Sequence, residues 1–229
     1  MQSISQQNDW LVQPLVERAQ VKKVDNRLIL SNGLIHRTFV ISPNVATIDY
    51  TNAITDTSIL RGVKPEATLT IDGGQFEIGG LKGQPDYAYL DPAWIQSLTS
   101  DVNAFQFREY SVGGIEKRYP WAPKRHASST QWPPKGIKLT IHFSPPLSLR
   151  GVGVSIHYEI YDGVPALSKW IEIRNEGECE MVIESLACEI LAVNEQEKHR
   201  LHVESDYAFS GMDTTHWDPD PDYKVKREE

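Results

Sequence analysis

The residues best suited to moving protons in this chain are two histidines and two glutamates on β-like runs of alternating polarity: His142, His157, Glu159 and Glu172. A histidine has an ordinary pKa of about 6.5, so it can exchange a proton with a sugar hydroxyl while a facing carboxylate takes the opposite role. Such a His/Glu pair is what ring opening and epimerisation of a sugar require. His36 is a third histidine in a strand-like run. Cleaving a glycosidic bond would instead need two carboxyl groups about 5–9.5 Å apart. Glu159, Glu172 and Glu184 are strand acids that can be paired on paper. Outward acids are also what the solvated face of an antiparallel sandwich demands, and that plainer reading covers most of them.

A second chemistry is binding. Residues 115–136, IEKRYPWAPKRHASSTQWPPKG, carry four prolines, and five Lys/Arg (Lys117, Arg118, Lys124, Arg125, Lys135) against one acid, Glu116. Long irregular segments inside compact domains usually have a function. Tyr119, Trp121 and Trp132 offer flat apolar platforms for the faces of sugar rings, and Arg118, Arg125 and His126 offer donors to hydroxyls. Aromatic walls with a few polar groups are the usual make-up of a small-ligand site. The same aromatics can equally anchor the loop to the sheet or dock a neighbouring domain.

Composition removes several other classes. The 229-residue chain has a net charge of −8, which argues against nucleic acid as a partner despite the basic-aromatic loop. No stretch approaches the roughly 20 apolar residues of a membrane-spanning helix. No signal peptide is visible, so the chain reads as soluble, with its compartment open and a periplasmic or extracellular one included. Cys179 and Cys188 lie on one extended run, roughly 30 Å apart at strand rise, which is too far for a disulfide. Neither has a partner at metal-ligand spacing. Asp218, Asp220 and Asp222 alternate as in a calcium loop but lack its glycine and closing glutamate. No metal or other cofactor is expected.

The elements that must position these groups are strands. Alternation and turn residues predict them over 27–31, 33–41, 45–51, 67–71, 75–78, 105–112, 137–143, 152–161, 166–174, 181–193 and 199–204. Asp72-Gly73-Gly74 and Asp162-Gly163 mark the turns of two hairpins. A short helix is expected over 91–98, with Asp91 as N-cap and Pro92 at N1, and another within 1–19. The fold class that follows is all-β: a large two-sheet antiparallel sandwich with one or two short helices. Its core is expected to take Ile156, Tyr158, Ile160, Trp170, Ile171 and Ile173 from both faces of central strands.

Three segments in this order, LILSNGLIHRTFVISPNVATIDYTN, ATLTIDGGQFEIGG and HYEIYDGVPALSKWIEIRNEG, resemble the N-terminal β-supersandwich of α-galactosidase-like glycoside hydrolases, family 36 and its relatives. The likeness runs over residues 24–193. It implies a galactose mutarotase-like fold standing before a catalytic (β/α)₈ barrel that holds the two catalytic aspartates. No βα repeats follow here, so those aspartates have no counterparts and no catalytic residue is assigned by the likeness. The organisation expected is an N-terminal extension over 1–23, a sandwich over 24–204, and an acidic, aromatic tail over 205–229 leading to a C-terminal catalytic domain outside this chain. The expected function is a non-catalytic sandwich domain of such a hydrolase, supporting the barrel and contacting carbohydrate. A free-standing carbohydrate-binding module and a mutarotase-like epimerase using a His/Glu pair are the alternatives. A homo-oligomer is compatible with any of them.

Overall fold

The computed structural model describes residues 10–12, 15–122 and 131–202. Two units divide the chain, Met1–His199 and Arg200–Glu229. Of the second, only residues 200–202 are described. The strands of the first are β1 Gln20–Val24, β2 Arg27–Ser31, β3 Ile35–Val40, β4 Ala46–Asn52, β5 Thr57–Ser58, β6 Leu60–Gly62, β7 Ala67–Ile71, β8 Gly74–Ile78, β9 Gln106–Gly114, β10 Gly136–Ser144, β11 Val152–Tyr161, β12 Leu167–Asn175, β13 Ile183–Ala187 and β14 Ala192–Val193. They form an all-β antiparallel sandwich, as the alternation predicts. Hydrogen bonding divides it into four ladders: β1-β2-β3-β4-β5, β12-β11-β10-β9, β13-β7-β8 and β14-β6.

Alternation explains why the layers close. Leu28, Leu30 and Phe39 point inward from the five-stranded sheet, and Leu139, Ile141, Ile156, Tyr158 and Ile160 from the four-stranded one. Leu69, Ile71 and Ile78 of the three-stranded sheet join the same cluster. Each such side chain, fully removed from water, contributes about 1.5–3 kcal/mol. A smaller cluster of Val40, Ala46, Val63, Leu81, Ile95 and Leu98 lies beneath the 3₁₀ helix Pro92–Ser97. That helix starts as expected, with Asp91 Oδ1 accepting from the Ala93 N–H at 2.8 Å. It is a 3₁₀ segment rather than an α-helix.

Several expectations are corrected. Trp170 does not enter the core. Register pairs Ile156 with Ile171 and His157 with Trp170, so Trp170 stands on the opposite face from Ile171 and Ile173. Of the helix expected within 1–19, residues 10–12 form a turn and 15–19 are not helical, the remainder lying outside the described residues; Gln20–Val24 is a strand the sequence did not announce, its two lysines masking the pattern on a solvated edge. The run 181–193 is two strands in different sheets, β13 on β7 and β14 on β6. Residues 198–200 are a 3₁₀ turn, so no strand begins at 199. Both cysteines are free.

Candidate functional site

The four-stranded sheet turns one face inward and the other outward, and most of the sequence-predicted site lies on the outward face. His142 of β10 and His157 and Glu159 of β11 alternate with buried neighbours, and Trp170 and Glu172 of β12 with the partly buried Ile171 and Ile173. Two concavities mark this face.

The first, of about 400 Å³, brings together His142, His157 and Glu172 with Lys138, Thr140 and Arg174. The His157 ring lies flat on Trp170, with centroids 4.8 Å apart and planes 5° from parallel. Its Nδ1 meets Thr140 Oγ1 at 3.0 Å. Its Nε2 is buried and makes no aligned hydrogen bond, although Glu172 Oε2 approaches to 3.4 Å. Burial lowers the His157 pKa, and Glu172 pulls it only partly back. The imidazole is therefore neutral near pH 7 and able to accept a proton. Glu172 is held below the ordinary carboxylate range, first by its hydrogen bond from Arg174 and then by that residue's charge. His142 Nδ1 pairs with Ser155 Oγ at 2.9 Å on the same face.

The second concavity, of about 380 Å³, lies under the connection between β9 and β10 and is walled by Tyr119, Trp132, Pro133 and Pro134. Trp132 packs against Tyr119 at 5.5 Å and against Trp121 at 5.3 Å, both tilted. Its indole N–H donates to the Tyr119 carbonyl at 3.3 Å. Tyr119 and Trp121 remain partly in water, 52 % and 41 % exposed. Arg118 ties this loop to the sheet. Its guanidinium carbon stands 3.6 Å from the Trp170 ring centroid, and Nη2 reaches Glu159 Oε2 at 3.2 Å.

The loop aromatics Tyr119, Trp121 and Trp132 thus form one cluster, and His157 and Glu172 one acid–base pair. Glu159 is two residues along β11 from His157 but belongs to the second concavity. His36 lies elsewhere, bound to Asp49 at 2.8 Å across β3 and β4. Arg125 and His126 lie outside the described residues, as does the aromatic, acidic tail.

The sequence reading missed a buried ionic cluster between the sheets. Arg37 donates to Glu66 at 2.8 Å, to both Glu189 oxygens at 2.7 and 3.0 Å, and to Thr47 at 2.8 Å. Lys169 reaches Glu189 at 3.1 Å, and the Tyr158 hydroxyl donates to Glu66. Burial opposes the charge on Arg37, but its partners outweigh burial and raise its pKa. The signal was present: Arg37 shares a face with Ile35 and Phe39, and Lys169 with Leu167 and Ile171, both inward positions that should have been apolar.

Among the described residues no His/Cys/Asp/Glu group is arranged to hold a metal ion, and no helix is long and apolar enough to cross a membrane. Family models, curated proteins and solved structures give no match to this chain.

Proposed function

We propose that this chain is a non-catalytic, carbohydrate-contacting β-sandwich domain of an α-galactosidase-like glycoside hydrolase, working beside a catalytic barrel. One observation supports contact with sugar above all others: in the partly exposed cluster Tyr119–Trp132–Trp121, Tyr119 and Trp132 wall a concavity that Glu159 and Arg118 also line, these two paired with each other. Apolar ring faces backed by a carboxylate and a guanidinium suit a pyranose, whose C–H faces are weakly apolar and whose edge is all hydroxyl. A stacked ring contributes about 1–2 kcal/mol by burial, so two rings of this loop give an affinity no tighter than about millimolar. Titration with galacto- and gluco-oligosaccharides to tens of millimolar, followed by Trp fluorescence, should show quenching. Trp132→Ala and Trp121→Ala should reduce or remove it. No response in the wild type would overturn the carbohydrate reading.

A second reading, a mutarotase-like epimerase, is favoured by the 3.4 Å approach of Glu172 to a partly buried, neutral His157 beside an open concavity. It requires that the chain accelerate galactose mutarotation in a polarimeter, and that His157→Ala and Glu172→Gln each abolish the acceleration.

A further inference from the structure

The concavity under the β9–β10 loop has a polar floor as well as aromatic walls. Glu159 projects from the outward face of β11, where side chains normally meet water, yet its side chain is only 2 % exposed. Its Oε2 takes both of its donors, Arg118 Nη2 at 3.2 Å and the Tyr161 hydroxyl at 3.1 Å. Its Oε1 is buried and accepts nothing. A buried carboxylate oxygen without a donor is costly and rare, and the residue that carries this one lines a cavity of ligand size.

The neighbouring charges decide what kind of donor fits. Arg118 neutralises Glu159. Asp162 is held by the Ala19 N–H at 2.7 Å and by Arg18 at 3.5 Å. Glu116 is paired with Lys138 at 2.6 Å. Lys135, at the rim, is exposed. Among the described residues that line the concavity no uncompensated positive cluster waits for an anion, and Glu159 already has its cation. A neutral molecule rich in hydroxyl donors remains.

We infer that Glu159 Oε1 is the acceptor for a hydroxyl of a neutral sugar lying against Tyr119 and Trp132, with Arg118 as the positioning residue that fixes the carboxylate through Oε2. The inference rests on the carbohydrate reading above. Arg118 stands over the Trp170 ring, 3.6 Å from its centroid, and is about one-third exposed, so it can shift over the indole face and admit a donor to Oε1 without leaving its aromatic partner.

The test uses the full 229-residue chain and galacto-oligosaccharides as probe, with Trp fluorescence and circular dichroism read together. In Glu159→Gln the amide carbonyl stays on Arg118 and an NH₂ group faces the concavity, which removes the acceptor while keeping the shape. Affinity should fall about tenfold, equivalent to about 1.4 kcal/mol. Arg118→Ala should also weaken binding, and Arg118→Lys, which keeps a cation on Oε2, should restore most of it. A wild type that binds, weakens with Trp132→Ala and is unchanged in Glu159→Gln overturns this inference and leaves the carbohydrate reading standing. A wild type that binds no saccharide overturns both. If Glu159→Gln does not fold, monodeoxy methyl galactosides on the wild type replace it: one of them must bind about tenfold more weakly, and equal binding of all overturns the inference.

Discussion

His157 shows how a single residue's surroundings set its chemistry. Trp170 covers one face of its ring, Thr140 occupies Nδ1, and the groups acting on it are Glu172, Lys138 and His142. Burial is the largest influence and lowers its pKa; Glu172 raises it, and Lys138 and His142 lower it further. Because the folded pKa lies below the ordinary value of about 6.5, the unfolded chain takes up this proton first as pH falls. The residue's contribution to stability is therefore complete above about pH 6.5 and declines as pH drops toward the folded pKa. NMR titration of the ring should give a midpoint below 6.5 in the wild type and a lower one in Glu172→Gln, since the group that raises the pKa is gone. A midpoint above 6.5, or one unmoved by Glu172→Gln, would contradict this account.

Whole elements were legible where alternation was clean and flanked by turn residues. The strands Arg27–Ser31, Ala67–Ile71 and Val152–Tyr161 fall where the sequence places them, because each has an inward apolar set and Gly, Asp or Asn at its ends. β1 was hidden by Lys22 and Lys23, and the break between β13 and β14 by a run, 181–193, that has no Gly, Pro, Asn or Asp to mark it. Grouping the site residues depended on cross-strand register: His157 could be assigned to Trp170 and Glu172 rather than to Glu159 only after the pairing of β11 with β12 was known. Turn geometry, by contrast, gives a direct prediction. Asp72 and Gly73 both have positive φ, 48° and 76°, as a type I′ hairpin requires. A Cβ added at Gly73 would meet no atom within 4 Å, so Gly73→Ala should cost only backbone strain, about 1 kcal/mol in urea unfolding. Gly80, at φ +89°, lies so that a Cβ would come within 2.9 Å of Pro65 Cα. Gly80→Ala should cost about 3 kcal/mol, and equal losses at the two sites would refute the distinction.

Across the whole sandwich, the layers are joined by charge as well as by apolar contact. Arg37 comes from the five-stranded sheet, Tyr158 and Lys169 from the four-stranded sheet, and Glu66 and Glu189 from the segments beside β7 and β13. Two cations face two anions, so removing one member strands a buried charge, which costs about 3–5 kcal/mol. Arg37→Met should lose that much in urea unfolding. Glu66→Gln, which leaves Arg37 and Lys169 facing Glu189 alone, should lose a comparable amount. The double variant leaves Lys169 against Glu189 and should lose clearly less than the sum of the two. The cluster also makes the fold acid-labile. Burial pushes the Glu66 pKa up, but Arg37, then Lys169, then the Tyr158 hydroxyl outweigh it, and the net direction is down. A carboxylate with a depressed folded pKa contributes stability that is complete above its ordinary value of about 4.3 and is lost as pH falls through the folded value. Urea midpoints should hold from neutrality to about pH 5, apart from the His157 contribution, and then fall steeply. Glu66→Gln should be less stable throughout but flatter in acid, because the titrating group is gone. An acid limb equally steep in the variant would place the acid sensitivity elsewhere in the molecule and deny this cluster its role in joining the sheets.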